Sequence, residues 1–412
     1  MRSTPVVSRT KNLRLAASAA VTFLLVAVLG GCSPSQPEVD AEASDGIEVG
    51  EEQSSQSEED GMEGVAGPDP TNAVSEVARQ AVAAMSVEDK AASVLMIHLP
   101  GTDATQFGDW IAQMALGGII LMGDNTQNGS ESVANLVSAA KGASAAPLLV
   151  GIDQEGGVVS RLSDDPGAGP EALRDMSTTE VYDQQLLRAQ YLSSLGINTN
   201  FGVVADVTDD PGSFIWQRVL GTTPEAAAQI VAASVEGSQA GDVYATLKHF
   251  PGHGAAPGDS HHVIPQTDLA FDLWRSGEAV PFEAGIQAGA ELVMMGHLAF
   301  TSVSDNPASL APEWVQVLRE DLGFDGVIVT DDMRMLTDSG LAEYADGANN
   351  VVNALKAGVD LMLYVYSGET DPVTGTQEIV EAIALAVEDG SLPEERLTDA
   401  AERVMDLRLG TP

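Results

Sequence analysis

The sequence predicts an α/β protein built as a single (β/α)8 barrel, preceded by a lipoprotein signal peptide and an acidic disordered tether. Three observations lead there. Eight short runs rich in Val, Ile and Leu recur between residues 94 and 365. Most are continuously apolar, as strands covered on both faces are, and helix-like stretches separate most of them. The unusual polar residues fall at the C-terminal ends of the runs, which is where such barrels carry their chemistry.

The chain opens with Arg2, Arg9, Lys11 and Arg14, then an apolar run from Leu15 to Leu29, then Gly30-Gly31-Cys32. A basic start, a short apolar core and small residues describe a secretory signal. The placing of Cys32, the only cysteine, resembles a bacterial lipobox. Residues 1–31 are therefore read as a signal peptide and Cys32 as the lipidation site, with the protein extracytoplasmic and lipid-anchored to the bacterial cell membrane. An uncleaved anchor is the alternative, but the apolar run is short against the roughly 20 residues that a spanning helix needs. One cysteine also excludes a disulfide framework and a four-cysteine metal site.

Residues 33–70 hold eleven acids and no Lys, Arg or aromatic residue. Such a segment cannot bury enough apolar surface to offset its ordering entropy. Residues 32–70 are accordingly expected to be a disordered linker stretched by self-repulsion. The whole chain of 412 residues carries a net charge of −42, which excludes a nucleic-acid binder that works by neutralising phosphates.

The barrel is expected over 71–412. Its strand runs are Val94–Leu99, Gly118–Met122, Leu148–Asp153, Ile197–Asp206, Val243–Phe250, Leu292–His297, Gly326–Asp332 and Val359–Val365. Helices are expected over Glu131–Lys141, Thr178–Leu195, Pro224–Ala240, Trp274–Ala288, Pro312–Asp321 and Leu341–Ala357, with Glu378–Glu388 and Arg396–Leu409 closing the chain. A doubly wound open sheet is the alternative, but no Gly-rich phosphate loop follows the first run. The strand ends then gather Asp153, Glu155, Asp206, Lys248, His249, His297, Asp331 and Asp332 on one face. Alternation along the seventh strand is expected to send only one of Asp331 and Asp332 into the barrel mouth.

The segment Lys248-His249-Phe250-Pro251-Gly252-His253-Gly254, continued by Asp259-Ser260-His261-His262, holds four of the six histidines. Its Gly and Pro content predicts an irregular loop. Asp259 is two residues from His261, so its carboxylate can orient and charge the imidazole, which suits general acid work. A metal hydrolase is a rival reading, but a helical pair at His249 and His253 would have to contain Pro251 and Gly252, which break helices. No metal and no cofactor are expected.

These residues resemble glycoside hydrolase family 3, in its single-barrel β-N-acetylhexosaminidase branch. The likeness extends to Met85-Ser86-Val87-Glu88-Asp89-Lys90, to Asp153-Gln154-Glu155-Gly156-Gly157 with Arg161, to Leu195-Gly196-Ile197-Asn198, and to the stretch from Gly323 to Met333 that contains Thr330-Asp331-Asp332. The chain ends soon after Ala357-Gly358-Val359-Asp360, so the family's common second α/β domain is expected to be absent. The resemblance implies a retaining two-step mechanism with Asp331 as nucleophile and the Asp259–His261 pair as acid/base. It implies sugar contacts from Asp153, Arg161, Arg218, Lys248 and His249. Glu155 is read as backing those contacts, and His297 as either packed or lining the site. Two positions depart from the family pattern. Val219-Leu220 follow Arg218 where Ser and Phe are commoner, and Val158 follows Glu-Gly-Gly where an arginine is common.

The implied partner is a carbohydrate with a terminal β-linked N-acetylglucosamine, from peptidoglycan or from chitin-type oligosaccharides, hydrolysed by a monomer. Two further readings share the scaffold. A phosphorylase is one, because a histidine acid/base carries no fixed negative charge to repel phosphate. A sugar-binding lipoprotein without catalysis is the other.

Overall fold

The computed structural model describes residues 74–366 and 370–410. The expected signal peptide over 1–31, the lipidation site Cys32 and the acidic linker to residue 70 lie outside them. Eight parallel strands form one sheet: β1 (Leu95–His98), β2 (Gly118–Leu121), β3 (Leu149–Ile152), β4 (Thr199–Val204), β5 (Tyr244–Phe250), β6 (Leu292–Met295), β7 (Val327–Thr330) and β8 (Met362–Tyr364). Each pairs with the next in chain order, and β8 pairs with β1. The last seam, between β7 and β8, has one parallel bridge, Val329 with Leu361, made by the Leu361 N–H to Ile328 O and the Thr330 N–H to Leu361 O at 3.0 Å each, and the Met333 N–H reaches Leu363 O at 2.9 Å, so the barrel is nearly closed.

Alternation along the strands divides the core in two. Met96, Ile120, Leu149, Phe201, Met294, Val329 and Leu363 point inward and pack on one another. Ile97, Ile119, Val150, Val203, Leu247, Val293 and Ile328 point outward, beneath the helices. Large and small side chains interlock inside: a Cβ on Gly151 would sit 2.6 Å from the Phe201 ring, so the glycine makes room for the phenylalanine.

A helix follows every strand. They are α1 (Ala104–Ile111), α2 (Ser130–Ala143), α3 (Thr178–Ser194), α4 (Pro224–Ala240), α5 (Ala279–Gln287), α6 (Pro312–Gln316), α7 (Gly347–Ala357) and α8 (Pro372–Glu388), with a closing helix over Glu394–Leu409. Their starts are chemically marked. Ser177 and Thr223 cap α3 and α4 with their side-chain oxygens, and Pro occupies the first turn of α4, α6 and α8.

Two helix expectations are corrected. The stretch Trp274–Ala288 is two helices, Phe271–Ser276 and α5, because the chain turns at Gly277. The stretch from Leu341 is helical only from Gly347, where Asp346 provides the cap. Before β1 the helix Val87–Ser93 falls on the Met85–Lys90 stretch that resembles the family's entry helix, whereas Glu76–Ala83 and α1 are helices that the apolar runs do not reveal.

Candidate active site

One cavity of about 270 Å³ opens at the C-terminal mouth of the barrel. Asp153, Arg161, Arg218, Lys248, His249, His261 and Asp331 all line it, and Asp259 stands behind His261. The inward barrel residues Ile120, Met294 and Leu363 also line it, giving the chamber an apolar part, and Val158 and Val159 add to its wall.

The cationic side is a buried ion network. Lys248 Nζ is 2.9 Å from Asp153 Oδ1 and 2.7 Å from Glu155 Oε1. Arg218 grips the same Glu155 with two bonds, Nε to Oε2 at 2.9 Å and Nη2 to Oε1 at 2.7 Å. Arg161 Nη2 lies 3.3 Å from Asp153 Oδ2. Burial alone would push both carboxyls up. The adjacent Lys248, with Arg161 at Asp153 and Arg218 at Glu155, outweighs it and holds both low, Asp153 at about 2. Burial would likewise lower Lys248, but Asp153 and Glu155 keep it above its usual range. Asp153, Glu155 and Lys248 are therefore ionised at neutral pH. Gln154 folds the intervening loop: its Oε1 accepts the backbone N–H groups of Arg161 and Leu162, both at 2.9 Å, which brings Arg161 back toward Asp153.

Asp206, at the exit of β4, organises the start of the histidine loop. Its Oδ2 lies 2.7 Å from His249 Nδ1, and its Oδ1 accepts the backbone N–H groups of His249 at 3.1 Å and His253 at 2.6 Å. Trp274 Nε1 donates to Pro251 O at 2.8 Å from below. Gly254 passes so close to Val207 that a Cβ there would collide with its carbonyl oxygen. The far end of the loop is tied down too, by a two-stranded ribbon that pairs Gln266–Thr267 with Ala299–Phe300. Between these anchors the chain turns back over Asp259–Val263, and His261 is 56% exposed at the mouth. His253, by contrast, is buried, with Nε2 3.1 Å from Ser260 Oγ. Among the described residues no group of His, Cys, Asp and Glu has a metal-holding arrangement.

Asp331 follows β7. Its backbone N–H donates to Met295 O at 2.9 Å, continuing the ladder one residue past the strand, and its Oδ1 accepts the Asp332 N–H at 2.8 Å. Burial would raise this carboxyl, but His249, His297, the Asp332 N–H and Lys248 outweigh it and hold it below the usual range. Both Asp331 and Asp332 border the cavity, and their carboxylates differ in what they bond. Regular alternation ends with Thr330, and Asp332 turns to accept the N–H groups of Arg334 and Val365 on Oδ1 at 3.0 and 2.9 Å. Burial, helped by the Asp331 charge, pushes Asp332 up to about 7 despite those bonds. His297 is a packed residue. It is fully buried, with Nδ1 2.7 Å from Ser309 Oγ and Nε2 2.9 Å from Asp332 O, so it braces the segment that carries the aspartates.

Sequence reasoning does not single out Gln154, does not give Asp206 its anchoring role, and passes over Phe214 beside His261. Asp206 has a signal, a carboxylate closing an apolar strand run. Gln154 and Phe214 have none.

A family model described as "Glycosyl hydrolase family 3 N terminal domain" matches residues 86–407. A "Beta-hexosaminidase" of Stenotrophomonas maltophilia strain R551-3 is 35% identical over 283 residues, covering 66% of this chain and 82% of the relative. Among solved structures, the family 3 β-N-acetylglucosaminidase of Paenibacillus sp. strain FPU-7 is similar with a TM-score of 0.72 and 32% identity, over 79% of this chain. The match spans 63% of that longer protein. A β-N-acetylhexosaminidase of Beutenbergia cavernae is similar with a TM-score of 0.66 and 28% identity, over 79% of this chain and 98% of its own.

Proposed function

The chain belongs to glycoside hydrolase family 3 and is a glycoside hydrolase, and from that premise we propose that it removes terminal β-linked N-acetylglucosamine with retention of configuration. The observation that carries this reading is that an ionised Asp331 and the Asp259–His261 couple serve one small cavity. An apolar part from inside the barrel and a charged rim suit a single terminal sugar, with its ring against carbon and its hydroxyls on Asp153, Arg161 and Lys248.

In the first step an Asp331 carboxylate oxygen bonds to the anomeric carbon as the glycosidic bond breaks. His261 Nε2 gives its proton to the departing oxygen. In the second step His261 takes a proton from water, whose oxygen bonds to the anomeric carbon as the bond to Asp331 breaks. Two carboxylates are the usual pair for this chemistry. Here an imidazole takes the acid/base part, and Asp259 orients it. Lys248, Asp153 and Arg161 fix the sugar, while Glu155 and Asp206 hold the holders.

The reading includes a location. Cys32 carries lipid, the acidic segment to residue 70 spaces a monomeric barrel from the extracytoplasmic face of the membrane, and the substrate is a peptidoglycan or chitin-type oligosaccharide. Retention of a Cys32→Ala variant in the membrane fraction would sink the anchor.

The direct test is turnover of an aryl 2-acetamido-2-deoxy-β-glucoside, with products followed by NMR in phosphate and in phosphate-free buffer. The expected first product in both is the β-anomer of N-acetylglucosamine. A sugar 1-phosphate in phosphate buffer would instead make the protein a phosphorylase, and binding without turnover would make it a sugar-binding protein.

A further inference from the structure

Phe214 is 38% exposed, the most exposed phenylalanine among the described residues, and it stands against the residue read above as the proton donor. Its ring centroid lies 5.8 Å from that of His261, edge-on at 72°, and 5.4 Å from that of His253. Arg218 Cζ lies over the ring at 5.9 Å. The side chain does not dangle. Asp210 caps the turn before it, accepting the Gly212 N–H at 2.8 Å, and the next residue, Ile215, is buried against Val204 and Val219. The loop therefore uses a buried anchor to hold an apolar ring at the surface.

We propose that Phe214 is the platform for the sugar that leaves, a subsite for the ring bonded through its hydroxyl to the terminal N-acetylglucosamine. This rests on the reading of His261 as proton donor. A donor must touch the oxygen shared by the two sugars, so the group flanking it toward solvent meets the leaving sugar and not the one held in the cavity. Phe214 touches His261 and Arg218, both of which line the cavity, yet it is not itself part of the lining. That is the position of a neighbouring subsite. A pyranose presents a face of C–H bonds, which packs on an aromatic face, while its hydroxyls stay in water at the edge. With the imidazoles and Arg218 packed around one part of the ring, the remainder is free for that contact. The ligand class is thus a neutral pyranoside in the leaving position.

The test separates a platform from a prop for His261. Two substrates share the same terminal sugar and both need protonation of the leaving oxygen: the β-1,4-linked disaccharide of N-acetylglucosamine, and its 2,2,2-trifluoroethyl β-glycoside, an aliphatic leaving group of similar acidity without a ring. Phe214→Ala is expected to lower kcat/KM on the disaccharide about tenfold, chiefly through KM, the size of one lost aromatic contact. On the trifluoroethyl glycoside the change should stay within about threefold, and Phe214→Trp should restore the disaccharide. Equal losses on both substrates would mean that Phe214 only aligns His261 and would overturn the proposal. So would an unchanged disaccharide rate, or a wild type that cleaves the trifluoroethyl glycoside and not the disaccharide. A wild type inactive on both would overturn the hydrolase reading itself, and this proposal with it.

Discussion

His261 Nδ1 lies 2.6 Å from Asp259 Oδ1, and the same oxygen accepts the His261 backbone N–H at 3.0 Å. Burial would push the Asp259 carboxyl up, but these two donors outweigh it and hold it below the usual range. An ionised carboxylate can only accept, so the ring proton sits on Nδ1. Nε2 is then the nitrogen free to give and take a proton at the cavity. His262, the next residue, is 80% exposed and reaches Asp259 only at 4.0 Å.

His261→Ala is therefore expected to be selective. General acid catalysis is worth roughly 10²–10⁴-fold, and the variant should lose that much on alkyl and sugar leaving groups. On activated aryl glycosides, which depart with little help, the glycosylation rate should fall far less. Asp259→Asn should show a weaker form of the same pattern, and His262→Ala and His253→Ala should not show it. Pre-steady-state rates across a series of aryl leaving groups decide this. If His262→Ala carries the selective loss instead, the proton donor is wrong by one residue.

Asp331→Asn removes the attacking oxygen and is expected to lower kcat by roughly a thousandfold or more while the sugar still binds. A mechanism-based fluoro-sugar should label Asp331 in the wild type, read by peptide mass spectrometry. Asp332 shares the cavity and is the alternative site of labelling, but a carboxyl pushed up to about 7 is substantially protonated at neutral pH and is the poorer nucleophile. A label on Asp332 would reverse the assignment.

The barrel was legible because its strands are covered on both faces and so read as unbroken apolar runs. The helix α1 was not, since Ala104–Ile111 buries only Phe107 and Ile111. The split at Gly277 was not either, because the apolar pattern continues across it. In the site, Asp259 and His261 could be paired from spacing alone. The partnership of Glu155 with Arg218 spans 63 positions and that of Asp206 with His249 spans 43, so only the closed barrel brings them together. Phe214 left no trace, because an aromatic residue in a loop reads like any core residue until its exposure is known.

Glu155 is the hub of the cationic side, holding Lys248 and Arg218 while fully buried itself. Removing one partner of a buried pair leaves uncompensated charge and typically costs about 3–5 kcal/mol. Glu155→Gln is expected to lower the unfolding free energy in urea by about that amount and to raise KM, since Lys248 and Arg218 lose the group that aims them. The exposed Asp209 lies on the loop after β4, and Asp209→Asn should change neither. Unchanged stability of Glu155→Gln would show that Asp153 alone compensates the two cations.

Glu278 supplies a test of a different kind, in pH. It stands just before α5 and is only partly buried as a residue, but its Oε2 is shut off from solvent and has no hydrogen-bond partner among the described residues. Gly252 passes over it so closely that a Cβ there would lie 2.6 Å from that oxygen. Burial, with the Asp206 charge adding to it, pushes the carboxyl from its ordinary 4.5 up to about 8, against the pull of the Val207 N–H. The sign follows from which state holds the proton. Between the two values the folded protein keeps a proton that the unfolded chain has already released, so stability falls as pH rises from about 4.5 to about 8 and levels off above. Within that window each tenfold fall in proton concentration costs the fold about 1.4 kcal/mol. Glu278→Gln cannot ionise and escapes that slope. The unfolding free energy of the variant minus that of the wild type should therefore grow steadily from pH 5 to pH 8 in urea titrations, whatever its starting value at pH 5. Taking the difference cancels the other titrating groups that the two proteins share. A difference that stays flat across that range would mean that Glu278 is ionised in the fold and has found a cation or a water to pair with.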